Sequence, residues 1–275
     1  MNITLTRKLI ATATAAIGLT SGAYGGTSIQ PATAVTLRSN VDLKQKFRGY
    51  EGAFVLYDLK NDKYIRFNEK RCAEQLSPCS TFKIFNALAG LDSKVITGPD
   101  DKKKWDGTKR WLDAWNHDHT LQSAIQDSVV WYFQDVAKDI GETRMKEYIH
   151  KVGYGNEDIS GGITKFWLGD SLKISADEQV KFLTRLYKNE LPFSNDAMET
   201  VKKLIVISDD GSSVLRGKTG TDMRDKKTTL GWFVGYVVED GNPYIFATNI
   251  TAKDKANGRV ARTITRSCLH SLGLH

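Results

Sequence analysis

The spacing of hydrophobic positions changes twice along the chain, from strand-like to helix-like and back. Ala53-Phe-Val-Leu-Tyr57, a polar turn over 58–62 and Lys63-Tyr-Ile-Arg-Phe67 predict a strand, a turn and a second strand. Residues 25–43 ahead of them are small and polar and read as a leader into the fold; residues 68–77 behind them read as a loop. From Phe82 to Leu91 the apolar density is that of a buried helix, interrupted after Lys83 by Asn86 and Gly90 alone. Trp131 to Ile140 and Thr143 to Val152 carry apolar residues three and four apart, and Gly141 and Gly153 stop these helices. Ser175-Ala-Asp-Glu178 is a capping box that opens a helix running through Tyr187, and a further helix covers Asp196 to Leu204. The strand pattern then returns at Ser213–Arg216, Leu230–Val238 and Tyr244–Ile250, the last two joined by the turn Asp240-Gly-Asn-Pro243, before a final helix over Val260–Leu272. Strands at both ends around a helical middle predict an α/β (α+β) fold. It is one antiparallel sheet flanked by helices, with an inserted, mainly α-helical region over roughly 80–205.

Composition changes this picture at the N-terminus. Arg7 and Lys8 precede a mildly apolar run over 9–19, with the small residues Ser21 and Ala23 at a cleavage site, the outline of a secretory signal peptide over 1–23. The run is too short and too rich in threonine to span a bilayer comfortably, so export with cleavage is expected, leaving a single domain over 24–275 with no membrane association. The formal charge of +7 stays basic without Arg7 and Lys8, but its lysines and arginines are scattered. That favours solubility, with mild attraction for anionic substrates, over nucleic acid. Cys72, Cys79 and Cys268 are an odd number without metal-ligand spacing, and allow at most one internal disulfide.

The candidate chemistry begins at Ser80-Thr-Phe-Lys83. In the first turn of a helix, Ser80 and Lys83 share one face, a hydroxyl beside an amine that can act as its base. Ser128-Val-Val130 follows a helix and can present a hydroxyl for proton relay. Tyr154-Gly-Asn156 has the form of a tight turn. Lys218-Thr-Gly220, on a strand, offers a fixed positive charge, a hydroxyl donor and a glycine past which substrate backbone can approach.

Taken in order, Ser-x-x-Lys, Ser-x-Val, Tyr-Gly-Asn and Lys-Thr-Gly resemble the penicilloyl-serine transferases, and within them the class D β-lactamases, or oxacillinases. Trp105-Asp-Gly107, Trp115-Asn116, Trp167-Leu168, Ser171-Leu-Lys-Ile-Ser175 and Gly231-Trp232 extend the resemblance from about residue 49 to the C-terminus. It implies a penicillin-binding/β-lactamase-like fold and hydrolysis of β-lactam antibiotics, the chemistry of antibiotic resistance. It further implies that Ser80 is the nucleophile and that Lys83, carboxylated by carbon dioxide or bicarbonate, is the general base. No other cofactor and no metal are implied, although His117-Asp-His119 has ligand-type residues. Val130, Trp167 and Leu168 would support the carbamate, Trp167 through its indole N–H. Ser128 would protonate the ring nitrogen, and the N–H groups of Ser80 and Thr221 would hold the oxyanion. Lys218, Thr219, Gly220 and Thr221 would bind substrate. The substrate-carboxylate arginine does not align without a gap; Arg259 and Arg262 flank its place, and Arg262 is the reading adopted. A periplasmic or secreted monomer or homodimer is expected, with segments 105–115 and 221–227 shaping substrate range. A β-lactam sensor domain and a transpeptidase are the alternatives.

Overall fold

The first strand of the chain pairs with the last. In the computed structural model, which describes residues 37–38, 41–169 and 171–274, β1 (Glu51–Asp58) lies between β2 (Lys63–Phe67) and β8 (Asn242–Thr251). The expected leader over 1–23 lies outside the described residues. The sheet runs β2-β1-β8-β7-β6-β5, antiparallel throughout, with β5 (Val206–Asp209), β6 (Ser213–Arg224) and β7 (Lys227–Glu239).

Both faces of the sheet are covered, and the side-chain alternation of β1 shows how. Ala53 and Val55 enter the core shared with the inserted helices; Phe54 and Leu56 enter a second core beneath α8 (Gly258–Ser271), with Ala261, Ile264 and Leu269. Successive residues that are all apolar therefore mark a strand buried on two sides, each large side chain contributing roughly 1.5–3 kcal/mol on burial.

The inserted region comprises α2 (Lys83–Asp92), α3 (Leu121–Gln126), α4 (Val130–Ile140), α5 (Glu142–Val152), α6 (Ala176–Tyr187) and α7 (Asn195–Leu204). Gly141 and Gly153 stop α4 and α5 at φ 82° and 68°, as their positions predicted. The capping box of α6 is present: Glu178 N–H donates to Ser175 Oγ at 3.2 Å, and Ser175 N–H donates to Glu178 Oε2 at 2.7 Å.

Three local features depart from the sequence reading. Residues Glu69–Cys72 form a single helical turn, α1, inside the expected loop, because Cys72 is drawn fully into the core. β5 is an edge strand with no apolar alternation to announce it, and exists through its pairing with β6. Lys102–Lys103 (β3) and His119–Thr120 (β4) form a two-residue ribbon at the base of the segment between them. Among the described residues, no helix is long and apolar enough to cross a membrane.

Candidate active site

The turn that carries the candidate nucleophile is fixed before it reaches Ser80. Leu76 exchanges backbone hydrogen bonds with Ile174 at 3.0 and 2.8 Å, and Cys79 adopts φ 50° in the left-handed region. Ser80 then sits in a 3₁₀ turn, Cys79–Phe82, and α2 begins only at Lys83. This differs from the expected first α-helical turn and suits the chemistry better, since residues i and i+3 eclipse in a 3₁₀ helix. Lys83 Nζ lies 2.6 Å from Ser80 Oγ. Phe82 faces away into an aromatic cluster with Phe85, Tyr154, Phe166 and Trp167.

Lys83 is fully buried, and burial, reinforced by the charge of Lys218, holds its amine well below the usual lysine range. Its other near polar neighbour is Ser128 Oγ at 3.3 Å, and no carboxylate forms an ion pair with it among the described residues. Burial thus favours the neutral form of this amine beside the serine hydroxyl.

Ser128 lies between α3 and α4 at φ 56°, a costly conformation for a residue with a Cβ, and its hydroxyl bridges two amines. Lys218 Nζ donates to Ser128 Oγ at 3.0 Å and to the Thr219 carbonyl at 3.2 Å. Burial lowers Lys218 to about 8, so its charge is present below that pH and is not the fixed charge its position in the motif suggested. Ser80, Lys83, Ser128 and Lys218, spread over 139 positions of sequence, thus form one chain of contacts.

This chain opens into a cleft of about 590 Å³. Thr219, Gly220 and Thr221 line one wall, Val130 and Leu168 the other, and Trp111, Trp115 and Met223 the mouth. The two segments expected to shape substrate range therefore both reach the cleft. Trp167 is completely buried, and its indole N–H has no acceptor among the described residues.

One assignment changes. Arg262 does not line the cleft; it lines a separate cavity behind β6 with Leu204, Ile205 and Phe233, while Arg259 reaches the cleft. The two are about one helical turn apart on α8, so only the earlier lies at the end of the helix that meets the site. Gly258 N–H donates to Thr221 Oγ1 at 2.9 Å, which ties that end of α8 to β6. Gly220 lines the cleft, as expected, and is also tightly packed on its other flank. A Cβ there would lie 2.9 Å from the Pro78 carbonyl, so the missing side chain lets the nucleophile turn pack on β6.

Tyr154-Gly-Asn156 stands outside the cleft as a brace: Asn156 Oδ1 accepts from Lys173 N–H at 2.8 Å and its Nδ2 donates to the Ser171 carbonyl at 2.9 Å. Both ring nitrogens of His119 are engaged within the fold, by the Ala114 carbonyl at 2.8 Å and Ser123 Oγ at 2.9 Å. Cys72, Cys79 and Cys268 are buried free thiols, so Cys72 and Cys79 do not form a disulfide. The sequence reading passed over Ser77, which has no motif signal and contacts two parts of the site.

Comparison with known proteins gives a consistent result. The family profile described as penicillin binding protein transpeptidase domain matches residues 44–270. The chain is 42% identical over 260 residues to the probable beta-lactamase YbxI of Bacillus subtilis (strain 168), covering 93% of this chain and 95% of that one. The solved class D beta-lactamase BAT-2 superposes with a TM-score of 0.82 at 46% identity, covering 86% of this chain and 98% of that chain. Regulatory protein BlaR1 of Bacillus licheniformis is 38% identical over 90% of this chain, which spans 41% of that longer protein.

Proposed function

The chain belongs to the class D β-lactamases, and on that premise we propose that it hydrolyses the β-lactam ring of penicillin-type antibiotics through an acyl-enzyme on Ser80, with Lys83 carboxylated as general base. The observation that carries the base assignment is a fully buried lysine, held below its usual range, 2.6 Å from the hydroxyl it must deprotonate.

The pocket fits a carboxylated lysine. Addition to carbon dioxide needs the lone pair of a neutral amine and releases one N–H proton, and burial supplies that neutrality. The carbamate needs donors, and the buried Trp167 N–H without an acceptor is one of the correct kind. Carboxylated, Lys83 would supply a base for the Ser80 proton and for the hydrolytic water.

The chain's own groups carry the rest. Ser80 Oγ attacks the ring carbonyl carbon, and the backbone N–H groups of Ser80 and Thr221 receive the developing oxyanion. Ser128 Oγ, which accepts from Lys218, passes its proton to the ring nitrogen as the C–N bond breaks, and recovers one from the lysine side. Arg259 at the cleft and the Thr219 and Thr221 hydroxyls recognise the substrate carboxylate. Water then attacks the ester carbonyl and frees Ser80.

Similarity to BlaR1 supports a second reading, a sensor domain that is acylated without turning over. A chromogenic cephalosporin separates the two. Sustained hydrolysis, restored by bicarbonate after carbon dioxide is removed, is expected of the enzyme; one stoichiometric burst would establish the sensor. Lys83→Ala should accumulate the acyl-enzyme in mass spectra, and normal turnover in that variant would refute the base. Export by the leader over 1–23 to the periplasm or medium completes the proposal, resting on its sequence pattern.

A further inference from the structure

Ser77 lies three residues before the nucleophile and has no role in the reaction above, yet its hydroxyl serves two backbone groups of the loop that carries Trp167 and Leu168. Ser77 Oγ donates to the Trp167 carbonyl at 3.1 Å and accepts the Gly169 N–H at 2.9 Å. One side chain thus closes both ends of the segment 167–169, which belongs to no helix or strand. Ser77 is itself tied to the sheet: its carbonyl accepts the Trp232 indole N–H of β7 at 2.9 Å, beside the paired Leu76 and Ile174. Arg224 holds the Gly169 carbonyl from the opposite side at 2.8 Å, but as an exposed group it cannot seal the segment against water.

What this bridge fixes is the placement of Trp167. The indole stacks on Phe82, the residue preceding Lys83, with ring centroids 5.6 Å apart, and its N–H is the buried donor left without an acceptor. We infer that Ser77 is a positioning residue that holds the Trp167 N–H for the carboxylated form of Lys83, and so sets how readily Lys83 takes up carbon dioxide. The inference rests on the carboxylated-lysine reading. Removing the hydroxyl strips a partner from the Trp167 carbonyl and another from the Gly169 N–H. Water that enters to replace it also hydrates Lys83, favours the ammonium form and leaves less neutral amine to react. Both consequences weaken carboxylation, and within the segment only Leu168 lines the cleft.

The test is a titration of ¹³C-labelled bicarbonate into the wild-type protein, Ser77→Ala and Ser77→Thr, following the carbamate ¹³C resonance beside kcat and KM. Ser77→Ala should need about tenfold more bicarbonate, the scale of one hydroxyl lost from buried partners. Its kcat should fall at low bicarbonate and return at saturation with KM little changed, while Ser77→Thr, which keeps the hydroxyl, should stay close to wild type. A wild-type midpoint in Ser77→Ala overturns the inference, as does activity that saturating bicarbonate fails to restore. A wild-type protein with no carbamate resonance removes the Lys83 reading itself, and is thereby told apart from a failure confined to Ser77.

Discussion

Lys83 and Lys218 are the same residue type 135 positions apart, and the site uses them differently because burial and neighbours differ. Lys83 is depressed well below its usual range by burial and by the second amine, which suits a group that must be neutral to react. Lys218, lowered by burial to about 8, is charged at neutral pH and loses its proton as the pH rises through that value. kcat/KM should therefore decline on the alkaline side about pH 8, as the donor to Ser128 loses its positive charge and the substrate carboxylate a cation; a profile flat from pH 7 to 9.5 would contradict this. The sign for stability is opposite. Between about 8 and the ordinary value of 10.5 the unfolded chain binds the Lys218 proton more readily than the folded one, so this group's contribution to stability rises with pH across that window. The two arginines give a second test at this scale. Arg259→Ala should raise KM for a penicillin about tenfold, the size of one lost charge-assisted hydrogen bond, while Arg262→Ala should leave KM near wild type. A KM rise confined to Arg262→Ala would return the carboxylate to Arg262.

The elements were legible in proportion to how much they bury by themselves. α4, α5, α6 and α7 declared themselves through apolar spacing and glycine or serine ends, and β1, β7 and β8 through continuous apolar runs. β5 and α1 did not, since pairing with β6 and the burial of Cys72 are tertiary events with no local pattern. The turn at Tyr154-Gly-Asn156 shows an element whose form was legible in the sequence and whose purpose was not. Gly155 has φ 58°, and a Cβ there would collide with the Lys173 carbonyl. Gly155→Ala should cost at least about 2 kcal/mol, read as a lower midpoint in urea unfolding with the slope unchanged, because left-handed strain and a backbone clash add. A variant as stable as wild type would show that the turn does not brace the 171–174 segment.

For the whole molecule, the sequence by itself determined the sheet from both chain ends, the helical insertion and the candidate site motifs. Those features reside in periodicity, in end signals and in short motifs whose members are neighbours along the chain. Tertiary structure alone decided which arginine meets the cleft, because one helical turn along α8 separates a residue at the site from one in the cavity behind it. It alone gave Gly220 a packing role against Pro78, and it alone brought Ser77 to the Trp167 loop 90 residues away. Above all it set the state of Lys83. A lysine in Ser-x-x-Lys is an ordinary cation until the fold closes over it; here Lys83 is fully buried, its Nζ 5.8 Å from the centre of the Phe133 ring of α4. Desolvation depends on everything packed around an atom, and no stretch of sequence contains that list.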